Sequence, residues 1–228
     1  FVLDVGADYE GPAIVDKDYT RVRSCWGREM VPTPFLNYRA GMRTKTHADA
    51  EVLADIHDPY FARTFGHFCS HRNTPFKVEA SAAPAVVRKG RTIFFAHNLG
   101  QIYLDYGMVL HRELVLHCLR ELRQRAHLDV QMPSCGRAYL LKQEEASRYV
   151  AHLLYASPLP RAEAMRLQHI EDSPPLHDVE VQLAVDEEIV AARLVPGETD
   201  VPFVVENGMV KLVLPPFAMH QGVVFDYA

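Results

Sequence analysis

The stretch PAVVRKGRTIFFAHNLGQIYLDYGMVLHRELVLHCLRELR, residues 84–123, contains the most regular hydrophobic patterns of this sequence. Two short runs rich in Val, Ile and Phe, 84–88 and 92–96, flank a three-residue turn. Gly90 in that turn can adopt a positive φ, so we predict a β-hairpin. The second run is apolar without alternation, which is typical of a strand covered on both faces. We therefore expect this strand to lie in the interior of a sheet.

A helical pattern begins at Leu99. Apolar side chains recur three or four residues apart up to Leu122, and most charged side chains fall on the opposite side. We predict one amphipathic helix of about six turns directly after the second strand. A buried strand followed by a helix that packs on it is the repeat unit of α/β layer folds, so residues 1–129 are predicted to be α/β.

A different pattern begins near residue 130. Short runs with alternating apolar residues, such as VEVQLAV (179–185) and VKLVL (210–214), recur about every ten residues, as strands of an antiparallel sandwich do. Asn207-Gly208 between two such runs is the most favoured two-residue hairpin turn. We predict a domain boundary near residue 130 and an all-β antiparallel sandwich over residues 130–228.

The start of the chain gives weaker signals. FVLDVG, residues 1–6, is strand-like, whereas the acidic and tyrosine-rich segment 7–24 is loop-like. EVLADI, residues 51–56, predicts a further strand. Because Phe1 is preceded by no initiator Met or polar lead-in, we expect the chain to be part of a longer protein.

Composition excludes several classes of protein. The chain has 228 residues, 48% of them hydrophobic, which supplies an ample core. A net charge of −5 without a basic block argues against a nucleic-acid partner. No apolar run approaches the ~18–20 residues of a membrane span, so no membrane partner is predicted.

The four cysteines lack CxxC spacing, which favours a reducing, cytoplasmic location over a disulfide framework. Neither GxGxxG nor GxxxxGK[ST] occurs, and no cofactor is predicted.

The segment HFCSH has the highest density of reactive side chains, with His67, Cys69 and His71 two residues apart. Two imidazoles and a thiolate suit zinc, but a fourth ligand cannot be identified, so no metal is predicted. If Cys69 were a catalytic nucleophile on a strand-to-helix elbow, small residues would be needed two positions before and after it. The sequence has histidines at both positions, which argues against an elbow. The presence of a possible base downstream, such as His97, does not remove this objection. The simplest interpretation is a packed loop with a buried thiol and hydrogen-bonded imidazoles.

A pair of catalytic carboxylates is not evident. Glycoside hydrolysis needs two carboxyl groups roughly 5–9 Å apart. Asp105 and Glu113 lie among apolar residues, but eight residues along a helix separate them by about 12 Å. No residue of this chain is therefore predicted to be catalytic.

Four stretches resemble, in this order, the C-terminal part of bacterial glycoside hydrolases that carry a β-galactosidase trimerisation domain. They are PYFARTFGHFCSHRNTP (59–75), PAVVRKGRTIFFAH (84–97), HIEDSPPLHDVEVQL (169–183) and ENGMVKLVLPPFAMHQGVVFDYA (206–228). The resemblance implies that residues 1–129 are the latter part of a flavodoxin-like trimerisation domain and residues 130–228 a C-terminal β-sandwich. It also implies catalytic glutamates in a barrel that these residues do not include.

The resemblance leads to a functional hypothesis with two rivals. We expect an accessory and assembly region of a glycoside hydrolase, non-catalytic alone and self-associating as a homotrimer. Its polar and aromatic loop, with His67, Cys69, His71 and Arg72, would line the carbohydrate site. One rival is an independent Cys/His hydrolase of amidotransferase-like fold, which needs Cys69 as a thiolate. The other is a carbohydrate-binding module, for which the aromatic residues of 130–228 are mostly expected to face the core.

Overall fold

The computed structural model describes residues 2–24, 26, 30–123, 125–161 and 167–228. The chain divides into two compact units, Phe1–Gln124 and Arg125–Ala228. In the described part of the chain, no helix has both the length and the apolar character that crossing a membrane requires.

The described residues of the first unit form seven strands and two helices. These elements are β1 (Ala7–Gly11), β2 (Asp18–Val22), β3 (Phe35–Asn37), β4 (Arg43–Thr46), β5 (Glu51–His57), β6 (Pro84–Lys89), β7 (Thr92–Phe95), α1 (Leu99–Tyr106) and α2 (Val109–Leu122). Five strands make one sheet in the order β3-β2-β5-β6-β7, and β1 pairs with β4. The predicted strand at 51–56 is confirmed as β5.

The hairpin of β6 and β7 is confirmed. Lys89 pairs with Thr92, and Gly90 adopts a φ of 57° in the turn. The expectation that β7 is an interior strand is wrong, because β7 lies at the edge of the sheet and its four residues are only half-buried. β6 has the fully buried run instead, with four consecutive buried residues from Pro84.

The expected flavodoxin-like layer is not confirmed. All four pairings in the five-stranded sheet are antiparallel, whereas a flavodoxin-like layer is built on parallel strands joined by helical crossovers. The strands β5, β6 and β7 follow one another in the sheet as they do in the sequence and are antiparallel, so no crossover helix is needed between them.

The prediction of a single helix is wrong, because the segment forms two helices, α1 and α2. Gly107 takes the left-handed conformation, with a φ of 63°, and its N–H donates to the carbonyl of Tyr103 at 2.8 Å. This is a C-terminal cap that glycine favours, and it ends α1. Asn98 caps the start of α1 by accepting a hydrogen bond from the Gln101 N–H at 3.1 Å. Leu114 of α2 joins the core of the first unit.

The strand expected at residues 1–6 is also wrong. Residues 2–5 are outside any strand, and Val2 and Leu3 are exposed, while Phe1 lies outside the described residues. The first strand is β1, in the segment expected to be a loop. β1 pairs with β4 in an antiparallel ladder, and three of its five residues are exposed, so its sequence gives no hydrophobic signal.

The second unit is an antiparallel β-sandwich, as predicted. Its strands are β8 (Leu128–Val130), β9 (Arg137–Gln143), β10 (Arg148–Leu154), β11 (Leu159–Arg161), β12 (Leu167–His169), β13 (Val179–Leu183), β14 (Ile189–Val195), β15 (Val204–Glu206), β16 (Met209–Leu214) and β17 (His220–Tyr227). The two four-stranded sheets have the orders β14-β17-β10-β9 and β15-β16-β13-β8. Leu153 and Phe225 of one sheet share a core with Val181 and Leu212 of the other.

The predicted turn between β15 and β16 is confirmed. Asn207 and Gly208 have φ values of 53° and 72°, the two positive angles that a type I′ hairpin turn requires. Glu206 pairs with Met209 directly across this turn.

Candidate functional site

The first unit carries a closed surface loop, residues 58–77, which we call the 58–77 loop. The Lys77 N–H donates to the Asp58 carbonyl at 2.8 Å, and the Tyr60 N–H donates to the Pro75 carbonyl at 3.1 Å. These bonds hold the two ends of the loop together. Compact surface loops with joined ends are frequently functional.

A pocket of about 100 Å³ lies between this loop and the segment around β2. Three basic residues line it, Lys17, Arg63 and Arg72, against one acidic residue, Asp16, together with the rings of Tyr19 and Phe61. We call it the cationic pocket. Arg63 and Arg72 are exposed and form no ion pair with any residue that the structure describes. Their charges are therefore available to a ligand.

Hydrogen bonds fasten the loop to the wall of the cationic pocket. The Tyr19 hydroxyl donates to the Thr74 carbonyl at 2.6 Å, and the Tyr19 ring packs edge-on against Phe76 with 5.4 Å between centroids. Burial raises the pKa of the Tyr19 phenol, so this hydroxyl remains a donor at neutral pH. Lys17 Nζ donates to Asn73 Oδ1 at 2.9 Å.

Of the four residues predicted from the sequence to bind substrate, the structure places Arg72 in the wall of this pocket. His67, Cys69 and His71 are not part of the wall. His67 lies at the tip of the loop, where its carbonyl accepts a hydrogen bond from the Thr64 N–H at 2.8 Å. The Cys69 thiol donates to the main-chain carbonyls of His71 and Asn73, at 3.1 and 3.7 Å, so it contributes to the internal structure of the loop.

Cys69 and His97 do not form a nucleophile–base pair. His97 Nε2 lies 2.7 Å from Asp18 Oδ1 and 3.0 Å from Asn37 Nδ2, while the contacts of Cys69 are to main-chain carbonyls. A catalytic thiol needs a base within hydrogen-bond reach. The arrangement around Cys69 therefore lacks the geometry that an independent Cys/His hydrolase requires.

His97 belongs to a buried polar network with Asp18, Asn37 and His111, all of them buried. The Asn37 side-chain amide donates to Asp18 Oδ1 at 2.8 Å, and His111 Nε2 lies 2.7 Å from Asn37 Oδ1. The Gly41 N–H donates to the second oxygen of Asp18 at 3.0 Å. A substrate could not reach these enclosed groups, so the network is structural.

The bonding of His111 determines its protonation. Because Asn37 Oδ1 can only accept, His111 Nε2 must carry the proton, and His111 Nδ1 is buried without a hydrogen-bond partner. Burial, with a smaller effect from the nearby His97, lowers the pKa of His111 to about 4. The imidazole is therefore neutral at physiological pH.

The network supports the cationic pocket from behind. Side chains alternate between the two faces of a strand, so Asp18 and Thr20 of β2 face opposite to Tyr19. Asn37 Nδ2 also donates to Thr20 Oγ1 at 2.9 Å, which ties β2 to β3 on the buried side. The network thus fixes the strand from which Tyr19 projects into the pocket.

Several of these residues were missed by the sequence analysis. Lys17 and Tyr19 lie in the segment 7–24, in which no chemistry was identified. Lys17 meets Asn73 across 56 residues of sequence, and His97 meets Asp18 across 79. No local pattern indicates such contacts.

Metal ligands are not clustered in the described part of the chain: no group of three or more His, Cys, Asp or Glu side chains is placed to hold an ion.

Comparison with solved structures relates this chain to a glycoside hydrolase. One similar structure is alpha-L-fucosidase isoenzyme 2 from Paenibacillus thiaminolyticus, with 32% sequence identity and a TM-score of 0.90. The match covers 99% of this chain and 34% of the fucosidase chain, so this chain spans about a third of the length of that enzyme. No protein-family model and no curated protein matched the sequence.

Proposed function

We propose that this chain is an accessory region of a glycoside hydrolase that acts on α-L-fucosides, with the catalytic carboxylates supplied by residues outside this chain. The observation that carries the proposal is the similarity to a fucosidase at a TM-score of 0.90 over 99% of the chain. The more specific relation to a β-galactosidase trimerisation domain remains a hypothesis.

Four carboxyl groups of the chain are unsuited to act as the acid of a glycosidase. A glycosidase needs one carboxylic acid whose pKa is raised so that it can protonate the leaving group. The pKa values of Asp4, Asp49, Glu187 and Glu206 are all shifted the other way, mainly by hydrogen bonds from lysine side chains. Such groups stay ionised and serve as partners in surface ion pairs.

Within this role, we assign sugar contacts to the cationic pocket. The Tyr19 and Phe61 rings offer apolar faces, and Arg63 and Arg72 offer unpaired hydrogen-bond donors for hydroxyl groups. Aromatic rings that face the sugar ring, beside polar groups that bind its hydroxyls, are usual contacts of a sugar subsite. Phe65 and Phe68 of the 58–77 loop are also exposed, so this part of the loop has further apolar surface to contribute.

The test is binding of L-fucose to the 228-residue chain, followed by NMR of the backbone amides. We expect L-fucose to shift the amides of Arg63, Arg72 and Asn73 saturably, and Arg72→Ala to weaken this binding at least threefold. Lys77→Ala, which removes an exposed lysine outside the pocket wall, is the matched control and should bind as the wild type does. Amide shifts confined to other parts of the chain, or binding that Arg72→Ala leaves unchanged, would refute the sugar role of the pocket.

We also propose that the first unit self-associates through α2. Val109, Leu116 and Leu119 are exposed and lie along one side of α2, opposite the buried Leu114 and Cys118. A stripe of exposed apolar side chains on a helix marks an interaction surface. The homotrimer that the sequence resemblance implies would bury this stripe, and light scattering of the purified chain would measure the oligomeric state.

A further inference from the structure

The first unit has another groove, which none of the preceding assignments uses. It is lined by residues of β2 and β5 and by the chain segments that follow these two strands. Its volume of about 470 Å³ lies within the range of small-molecule sites, and it is larger than the cationic pocket. We call it the His57 groove, after the most buried polar residue of its lining.

The ring of His57 is held in one orientation. The residue is only 3% exposed, and its ring packs edge-on against Phe76 with 6.1 Å between centroids. His57 Nδ1 lies 2.9 Å from the carbonyl oxygen of Lys77. Because a carbonyl oxygen can only accept a hydrogen bond, Nδ1 carries the proton. In the neutral imidazole, Nε2 is then an acceptor.

This acceptor is open to the groove. His57 Nε2 has no hydrogen-bond partner among the residues that the structure describes, yet it is not one of the polar atoms enclosed by protein. The small accessible part of His57 borders the groove. Buried polar atoms are normally hydrogen-bonded, so a fixed lone pair at this position requires a donor from outside the chain.

Arg21 and Asp55 lie on the same face of the sheet as His57. The strand register pairs Arg21 with Asp55, and His57 follows Asp55 by two residues. Ile56, between them, is fully buried on the opposite face. Directly paired residues have Cβ atoms about 5 Å apart, and neighbours on one face of a strand are about 7 Å apart. The three side chains therefore form one patch that a single six-membered ring can contact.

The patch offers both donors and acceptors. Arg23 donates to the two oxygens of Asp55 at 2.7 and 3.0 Å, which holds the carboxylate in place and leaves it further lone pairs. Arg21 is exposed and forms no ion pair or hydrogen bond with any described residue. Arg21 can therefore donate to a ligand, while Asp55 and His57 can accept from it.

An apolar wall lies beside these polar groups. Val78 and Ala80 line the groove, and the Val78 side chain is 70% exposed. The Ser81 N–H donates to the Ile56 carbonyl at 2.7 Å, which holds this segment beside β5. Apolar surface next to a few placed polar groups is typical of small-molecule sites.

We propose that the His57 groove binds a neutral pyranose sugar. One hydroxyl donates to His57 Nε2, a second accepts from Arg21, and the ring lies against Val78. A hydroxyl group both donates and accepts, so one kind of ligand group satisfies all three polar side chains. A carboxylate or sulfate group has no proton for Nε2 and would lie beside Asp55. This site is separate from the cationic pocket and does not depend on the fucoside assignment.

The test is NMR of the 228-residue chain with D-galactose, D-glucose and D-mannose as neutral probes and D-galacturonate as the anionic probe. At pH 8, a long-range proton–nitrogen spectrum should show the ring proton of His57 on Nδ1. We expect at least one neutral hexose to shift the His57 Nε2 resonance and the Val78 amide saturably. D-galacturonate should bind at least threefold more weakly than the best neutral hexose.

Variants relate this binding to the groove. Arg21→Gln and Val78→Ala, both at exposed positions, should each weaken hexose binding at least threefold, and His57→Phe should abolish it. Arg91→Gln changes an exposed arginine in the turn between β6 and β7 and should bind as the wild type does. Thermal unfolding shows which variants are folded, and the two exposed variants decide the question if His57→Phe is not.

Four results would overturn the proposal. They are a ring proton on His57 Nε2, an unshifted His57 with all three neutral hexoses, tighter binding of D-galacturonate than of every neutral hexose, and hexose binding that survives both Arg21→Gln and Val78→Ala.

Discussion

Replacement of His111 by glutamine should remove a large part of the acid sensitivity of the first unit. The wild-type imidazole is buried and neutral, with Nε2–H donated to Asn37 and a pKa of about 4 instead of 6.5. In the unfolded chain the same imidazole is free to take up a proton. Between pH 6.5 and 4 the unfolded state therefore binds more protons than the folded state, so stability falls as the pH falls.

The size of the effect follows from the two pKa values. The contribution of His111 to stability is complete above pH 6.5 and is lost as the pH falls towards 4. From pH 7.5 to 4.5 the loss amounts to about 2.5 kcal/mol, since each pKa unit corresponds to about 1.4 kcal/mol. Glutamine cannot titrate, so the free energy of unfolding of His111→Gln should decrease by about 2.5 kcal/mol less than that of the wild type over this range.

Urea unfolding followed by tryptophan fluorescence measures this difference in the first unit alone. Trp26 is the only tryptophan of the chain, and its ring packs against His117 of α2 at 4.6 Å between centroids. His71→Gln, a change of an exposed histidine in the same unit, is the control and should keep the wild-type pH dependence. Identical pH dependence of the wild type and His111→Gln would show that the imidazole is not held neutral in the folded state.

Three further outcomes follow from the structure. Asn37→Leu removes the side-chain amide that donates to Asp18 and accepts from His111, and it should lower the free energy of unfolding by about 3 kcal/mol in urea titrations; a loss below 1 kcal/mol would contradict the buried network. Leu116→Glu should shift the mass measured by light scattering towards the monomer, while Val213→Glu, at an exposed position of β16, should not; equal effects of both would argue against α2 as the interface. Burial raises the pKa of the Cys118 thiol to about 12, so this thiol is not reactive at pH 8 in the folded protein. Iodoacetamide at pH 8 should therefore label the exposed Cys135 and should label Cys118 only after urea has unfolded the first unit. Labelling of Cys118 before unfolding would contradict its burial.

Local patterns in the sequence predicted the structure correctly where a single short-range interaction determines it. Gly90 and the pair Asn207-Gly208 mark their turns because few other residues tolerate positive φ. Alternation in β13 and β16 identified the sandwich, since each strand has one face in the core and one in solvent.

Other features of the fold could not be predicted from local patterns. The apolar run of β7 suggested an interior strand, but whether another strand lies beyond it depends on the rest of the sheet. Gly107 divides the helical segment, yet an isolated glycine within a helical period does not reveal whether the helix ends there. The antiparallel order of the first sheet likewise depends on pairings between distant segments.

The candidate site was predictable only in part. The composition of the 58–77 loop indicated a polar and aromatic surface that included Arg72, but not which side chains face the pocket. The thiol of Cys69, the most reactive group of the segment, is engaged with main-chain carbonyls. Lys17 lies just before β2 and Tyr19 lies in it, and both line the pocket. They are too far from the 58–77 loop in the sequence for a local motif to connect them with it.

A hybrid enzyme tests the central claim most directly. In it, this chain replaces the matching third of the α-L-fucosidase from Paenibacillus thiaminolyticus, and hydrolysis of 4-nitrophenyl α-L-fucoside is measured for the hybrid and for the chain alone. If the chain is an accessory region of a glycoside hydrolase, the hybrid hydrolyses the fucoside and the chain alone does not. Hydrolysis by the chain alone, or a hybrid that folds with the thermal transition of the parent yet has no activity, would contradict the account.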